Sequence, residues 1–223
     1  RSGRAAYRRH TCAVSRLIVR PSGPLSGELE VRGAKNSALK LMAACVLAEG
    51  RYVLRNVPRI SDVDHMAALL EAMGMTTRWR DDDALEIVRG AEVDPVAPYE
   101  LVERMRASSA VIGPLLASVG RASVAMPGGD DFGSRPIDMH LQGLEALGAE
   151  FSLEHGIIEG RAERLRGTEV VLDYPSVGAT ENLLMAGVLA KGRTTVHNAA
   201  REPEIADLAA FLNRMGGRIL GAG

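Results

Sequence analysis

The sequence predicts a mixed α/β (α+β) fold in which one βαβαββ unit is written three times, giving a pseudo-threefold arrangement with helices buried and sheets outside. Three observations carry this. An apolar helical run closes near a glycine at Gly50, Gly120 and Gly192, a period near 70 residues. A short β-branched segment follows each glycine: "RYVLRNV", "RASVAM" and "RTTVHNA". A polar loop and a second, amphipathic helix then run to another glycine, Gly74, Gly148 or Gly216.

Each element has its own warrant. A glycine just past the last apolar residue supplies the left-handed stop for the first helix. In the second helices Met66, Leu69, Leu70 and Met73 share one stripe, as do Leu141, Leu144 and Leu147. Asp64, Asp138 and Asp207 are expected near the starts of these helices, where a carboxylate suits the positive end of the dipole. Hairpin material follows as "TTRWRDDDALEIV" and "EFSLEHGIIEG", and is cut short as "RILGAG" at Gly223. Residues 35–223 therefore read as one lobe whose third repeat is truncated, with the three first helices packed together as its core.

The chain has 223 residues, enough to bury a sizeable core, and a formal net charge of −1 from 27 basic and 28 acidic residues. No global field is available to recruit nucleic acid or an anionic membrane, so any anion site must be local. Aromatic residues make up only 4% of the chain, which argues against a base-stacking platform. Cys12 and Cys45 sit in settings that suggest no disulfide, consistent with a reducing cytoplasm. The longest apolar runs fall far short of the ~20 residues of a membrane span. The opening "RSGRAAYRRHTCAVSR", residues 1–16, is basic and lacks a signal-like apolar stretch, so it reads as a disordered tail.

Chemistry concentrates where the first helices begin. "GAKNSAL" places Gly33 at a tight turn and Lys35 and Asn36 at a helix entrance, a natural anion site. Alone, the commoner reading is an N-cap beside a solvated lysine. "RMRAS" opens the second unit with Arg106, and "PSVGATEN" opens the third with Ser176, Gly178 and Thr180. Capping and turn formation would again suffice for each. Three equivalent helix entrances carrying Lys/Asn, Arg and Ser/Thr would, in a pseudo-threefold lobe, converge on one side. Together they would suit a ligand with several phosphate or hydroxyl groups. Between strand and second helix of the middle unit lies "MPGGDDFGSRPIDMH". Its glycines, Gly128, Gly129 and Gly133, leave the loop free to close. Arg135 can clamp a phosphate, and Asp130 and Asp131 are either solvated or presented to a ligand.

"GAKNSAL", "MRAS", "PGGDDFGSRPIDMH" and "SVGAT…AAREPEI", in this order over residues 17–223, resemble the UDP-N-acetylglucosamine 1-carboxyvinyltransferases, the MurA-type enolpyruvyl transferases. The likeness covers about the N-terminal half of such a protein. It implies an inside-out α/β barrel, residues 17–34 forming strands of the other lobe, and a C-terminal lobe as the structural partner. It implies a cytoplasmic enzyme that moves the enolpyruvyl group of phosphoenolpyruvate onto the 3-hydroxyl of UDP-N-acetylglucosamine, the first committed step of peptidoglycan precursor synthesis. No metal and no cofactor are expected, and neither nucleic acid nor membrane as partner. By matching positions, Lys35 and Asn36 would bind phosphoenolpyruvate. Arg106, Arg135, Pro136, Ile137, Asp138 and Met139 would hold the UDP-sugar, and Ser176 and Val177 would contact its diphosphate. A sister transferase with another acceptor, and a silent UDP-sugar-binding paralogue, are the competing readings.

The proton-delivering loop position matches Asp130, where most such proteins carry cysteine. A thiol with pKa ~8.5 is protonated at neutral pH, whereas a carboxyl near ~3.9 is not. Closure onto a dry site beside Asp131 would raise the Asp130 pKa, and Arg135 would oppose the rise.

Overall fold

The structure is a computed structural model that describes residues 18–21, 23–80, 83–103, 105–126 and 137–223. It divides into two units, Arg1–Val31 and Arg32–Gly223. The described part of the first unit forms neither helix nor strand. It does alternate as a strand would through Glu28-Leu29-Glu30-Val31, and Leu29 and Val31 are exposed. The tail 1–16 lies outside the described residues.

The second unit carries the repeat. Its first copy is α1 (Lys35–Ala44) with a 3-10 turn at Cys45–Leu47, then β1 (Gly50–Leu54), α2 (Ser61–Ala72), β2 (Thr76–Trp79) and β3 (Leu85–Arg89). The second is β4 (Val96–Ala97), α3 (Tyr99–Val102), a 3-10 segment (Arg106–Val111) running into α4 (Ile112–Ser118), β5 (Arg121–Ala125), α5 (Asp138–Ala146), β6 (Glu150–Glu154) and β7 (Ile157–Arg161). The third is β8 (Glu169–Val171), α6 (Val177–Gly187), β9 (Thr195–His197) and α7 (Pro203–Arg214).

Sheet topology repeats with the sequence. The order β4-β5-β7-β6 has β4 parallel to β5 and the other pairs antiparallel. β1-β3-β2 reproduces its antiparallel part, with Gly50 opposite Arg89 as Arg121 is opposite Arg161. β8 and β9 reproduce its parallel part. Only the middle copy is complete among the described residues. The two-residue loop of the β6–β7 hairpin, His155 at φ 52° and Gly156 at φ 77°, has the left-handed pair that matches strand twist.

The first helices form the interior. Met42, Ala43 and Ala44 of α1, Ile112 and Leu115 of α4, and Leu183, Met185 and Ala186 of α6 are fully buried. The second helices present one face each. Met66, Leu69 and Leu70 are fully buried, each contributing about 1.5–3 kcal/mol of apolar transfer. α2 packs on the Arg106–Val111 segment, α5 on α6 and α7 on α1. α2 packs more extensively on α1 of its own copy and α7 also packs on α6, while the packing of α7 on α1 joins the third copy to the first.

All three second helices end alike. Met75 N–H reaches Leu70 O and Gly74 N–H reaches Glu71 O, both at 3.0 Å. Ala149 and Gly148 do the same to Leu144 and Glu145, and Gly217 and Gly216 to Leu212 and Asn213. Gly74, Gly148 and Gly216 hold φ of 90°, 98° and 104°, which only glycine adopts without strain. Two expectations need correction. Gly50 is not a left-handed stop: α1 closes through the 3-10 turn, and Gly50 opens β1. Asp207 is not at a helix start. It is the fifth residue of α7, and Ser37 of α1 donates its hydroxyl to it.

Candidate functional site

The α1 entrance is built by a glycine contact. Gly33 donates its N–H to the Asn56 side chain at 2.9 Å, drawing the chain against the β1–α2 loop. Lys35 follows as the first residue of α1, half exposed, with Nζ 3.3 Å from Asp62 in the first turn of α2. The helix cap is Ala34, which has no side-chain oxygen to accept from the first-turn amides, and no capping hydrogen bond is made among the described residues. Asn36 is therefore not a cap. It is exposed, one residue inside the helix, beside amides without intrahelical partners.

The second entrance is a 3-10 segment rather than an α-helix, with Arg106 as its first residue. The Arg106 side chain is outside what the structure describes. So are Asp130, Asp131, Arg135 and Pro136, which fall within 127–136. Beyond them Ile137 and Met139 turn their side chains into the core, while Asp138 is exposed in the first turn of α5. Of these three, only Asp138 can meet a ligand through its side chain; Ile137 and Met139 can offer backbone.

The third entrance is capped as capping rules expect. Ser176 Oγ accepts from Ala179 N–H at 3.3 Å, and Val177 begins α6, half-buried. Thr180 is buried: its hydroxyl donates to Ser176 O and accepts from Ala200 N–H.

Buried polar residues below these entrances tie them together, and the motif reading did not find them. Lys40 Nζ stands 2.5 Å from Glu181 Oε2, joining α1 to α6. Asn182 accepts from Gly113 N–H at 2.9 Å and donates to Ser109 O at 3.2 Å, joining α6 to the second copy. Its amide also meets His140 Nδ1 at 2.9 Å. His140 in turn closes on Gly178, where a Cβ would lie 2.9 Å from the ring. The start of α5, with Asp138, is thereby brought to the start of α6, with Ser176 and Val177. Burial pushes the Glu181 carboxyl above the usual range, and Lys40 opposes the rise. The signal available in sequence was a Glu-Asn pair opening the otherwise apolar run "ENLLMAGVLA".

Among the described residues no cluster of three or more His, Cys, Asp or Glu could hold a metal, and no helix is long and apolar enough to cross a membrane.

Residues 19–223 match the family model of EPSP synthase (3-phosphoshikimate 1-carboxyvinyltransferase). The chain belongs to the EPSP synthase family. Within it, the chain is 54% identical over 212 residues to the UDP-N-acetylglucosamine 1-carboxyvinyltransferase of Gluconacetobacter diazotrophicus, covering 94% of this chain and 50% of that protein. It is 51% identical over 207 residues to the Sorangium cellulosum protein of that name, covering 93% and 49%. The Mycobacterium bovis protein of that name is 52% identical over 208 residues, covering 93% and 50%. The chain thus spans about half the length of the curated relatives it matches. Among solved structures, the enolpyruvyl transferase NikO from Streptomyces tendae aligns with a TM-score of 0.78 at 23% identity, over 89% of this chain and 47% of NikO. An EPSP synthase from Acinetobacter baumannii aligns with a TM-score of 0.62 at 19% identity, over 79% and 40%. These likenesses establish the enolpyruvyl transferase fold for this EPSP synthase family chain, with its pseudo-threefold repeats.

Proposed function

We propose that the protein at full length is a UDP-N-acetylglucosamine 1-carboxyvinyltransferase. The observation that carries this reading is the identity of about one residue in two to proteins of that name, across nearly the whole chain. The site geometry supports it: Lys35 and Asn36 stand at an uncapped helix entrance, and Asp138, Ser176 and Val177 at entrances tied to it through buried polar contacts.

In this reading Lys35, Asn36 and the α1 amides hold the phosphate of phosphoenolpyruvate, with anion charge met by a lysine and a helix dipole. Arg106, Arg135, Pro136, Ile137, Asp138 and Met139 hold the UDP-sugar, Ile137 and Met139 through backbone, and Ser176 and Val177 face its diphosphate. Asp130 gives its proton to the methylene carbon of phosphoenolpyruvate as the sugar 3-hydroxyl bonds to the adjacent carbon and yields its own proton to a base supplied by the C-terminal lobe. The tetrahedral ketal then loses a methyl proton and phosphate, leaving the enolpyruvyl ether. The C-terminal lobe that such a protein requires supplies the remaining ligand contacts and the ladder partner for Leu29 and Val31. In this reading the reaction runs in the cytoplasm.

The test is turnover by the purified full-length protein, read as phosphate release and by mass spectrometry of the sugar nucleotide. Release that needs both phosphoenolpyruvate and UDP-N-acetylglucosamine, with the enolpyruvyl ether as product, is expected. Release only with shikimate 3-phosphate as acceptor would assign the sister activity, and binding of the sugar nucleotide without turnover would make the chain a silent paralogue.

A further inference from the structure

Lys40 and Glu181 form a charge pair to which the proposed function gives no ligand contact. Glu181 is fully buried and the Lys40 side chain is 15% exposed. The second carboxylate oxygen, Oε1, has no hydrogen-bond partner among the described residues. Lys40 lies five residues past Lys35, and Glu181 five past Ser176. At about 1.5 Å of rise per residue the pair sits about 7.5 Å beneath both entrances. Asn182, next to Glu181, bonds the second copy at Gly113 and Ser109. α6 is therefore held to both other copies by polar contacts at one level of the core.

Stability alone does not account for such a pair. Taking two charges out of water costs about what their attraction returns, and apolar side chains of similar volume often serve as well. What a buried pair supplies that an apolar contact does not is a fixed register, since only one sliding position of the two helices brings nitrogen to oxygen.

We propose that Lys40 and Glu181 are positioning residues, holding the α1 entrance with Lys35 and Asn36 level with the α6 entrance with Ser176 and Val177. The two substrates, one at each entrance, then meet at a fixed separation, without the helices having to slide when they bind. The proposal deepens the functional reading above and depends on it only for the identity of the substrates.

The test compares full-length wild type with Lys40→Met/Glu181→Met, Lys40→Met and Lys40→Arg. In the double variant a Tm near that of wild type is expected. KM for both phosphoenolpyruvate and UDP-N-acetylglucosamine should rise about tenfold, equivalent to ~1.4 kcal/mol of lost affinity, with a smaller change in kcat. Amide hydrogen exchange should quicken in the first turns of α1 and α6 and stay unchanged in β5 and β7. Lys40→Arg should recover most of the affinity lost in Lys40→Met. Wild-type KM and wild-type exchange in a folded double variant would overturn the proposal. If the double variant does not fold, equal KM in Lys40→Arg and Lys40→Met would overturn it instead. A wild type that turns over neither substrate removes the functional reading, and the exchange comparison still judges the clasp.

Discussion

Gly33 and Asn56 are locked together: the Gly33 N–H donates to Asn56 Oδ1 at 2.9 Å, and any Cβ on Gly33 would collide with the Asn56 carbonyl oxygen. Asn56 holds φ at 56°, a left-handed position that asparagine tolerates better than most residues. This contact sets where α1 begins and so where Lys35 stands against Asp62. Gly33→Ala must push the two loops apart. The expected cost is about 1–3 kcal/mol in urea unfolding, typical of an added methyl in a closed contact. Affinity for phosphoenolpyruvate should fall more than affinity for the sugar nucleotide. Unchanged stability would mean the entrance is free to move.

What the sequence disclosed follows from how local each feature is. The stops at Gly74, Gly148 and Gly216 were legible because a Schellman cap needs one glycine a fixed step past the helix, and the strands because β-branched residues cluster beside them. Gly50 was misread because a 3-10 turn and a left-handed cap leave the same glycine-after-apolar pattern. At the site, Lys35 and Ser176 were legible from motif and helix entrance. Their buried support was not: Lys40 and Glu181 are 141 residues apart, and nothing local in either helix announces the other. The inward turn of Ile137 and Met139 likewise depends on how α5 packs against α6.

Cys45 should be chemically silent. It is fully buried, its Sγ donates to Leu41 O at 3.2 Å, and burial pushes its thiol far above the ordinary value. The thiolate is the reactive form, so a group held this strongly as thiol is a poor nucleophile. Followed by peptide mapping, Cys45 of the native protein should show no reaction with an aromatic disulfide reagent on the timescale of minutes, and full labelling after unfolding in urea. Rapid labelling of Cys45 in the native protein would mean that α1 opens far more readily than its packing implies.

Glu181 should leave a mark on the pH dependence of stability. Burial raises its proton affinity, Glu202 and Glu204 at the start of α7 add to the rise, and Lys40 opposes it. A carboxyl whose pKa is raised on folding binds more protons folded than unfolded in the window between the two values. Its stabilising contribution is complete below the unfolded value, ~4.3, and is lost as pH climbs through the folded one. Glu181→Gln removes this titration. The stability difference, variant minus wild type, should therefore grow more favourable to the variant as pH rises above ~4.3 and then level off. Urea unfolding at a series of pH values measures it. A flat difference, or one of opposite slope, would show that Lys40 governs the pair.

Asp130 stands where the proposed reaction needs a proton donor, on a stretch that lies outside the described residues, so its role is decided by substitution in the full-length enzyme. Asp130→Asn keeps size and polarity but has no proton to give, and turnover should fall by roughly the 10²–10⁴-fold typical of a lost general acid. Asp131→Asn should cost far less. Asp130→Cys should retain turnover, because a thiol is protonated at neutral pH without help from its surroundings. It should also gain sensitivity to an electrophilic epoxide, to which a carboxylate is the weaker nucleophile. Peptide mapping by mass spectrometry then shows whether the epoxide adduct sits on residue 130. A wild-type enzyme already inactivated by the epoxide would contradict the assignment. Full activity in Asp130→Asn would hand the proton to another group.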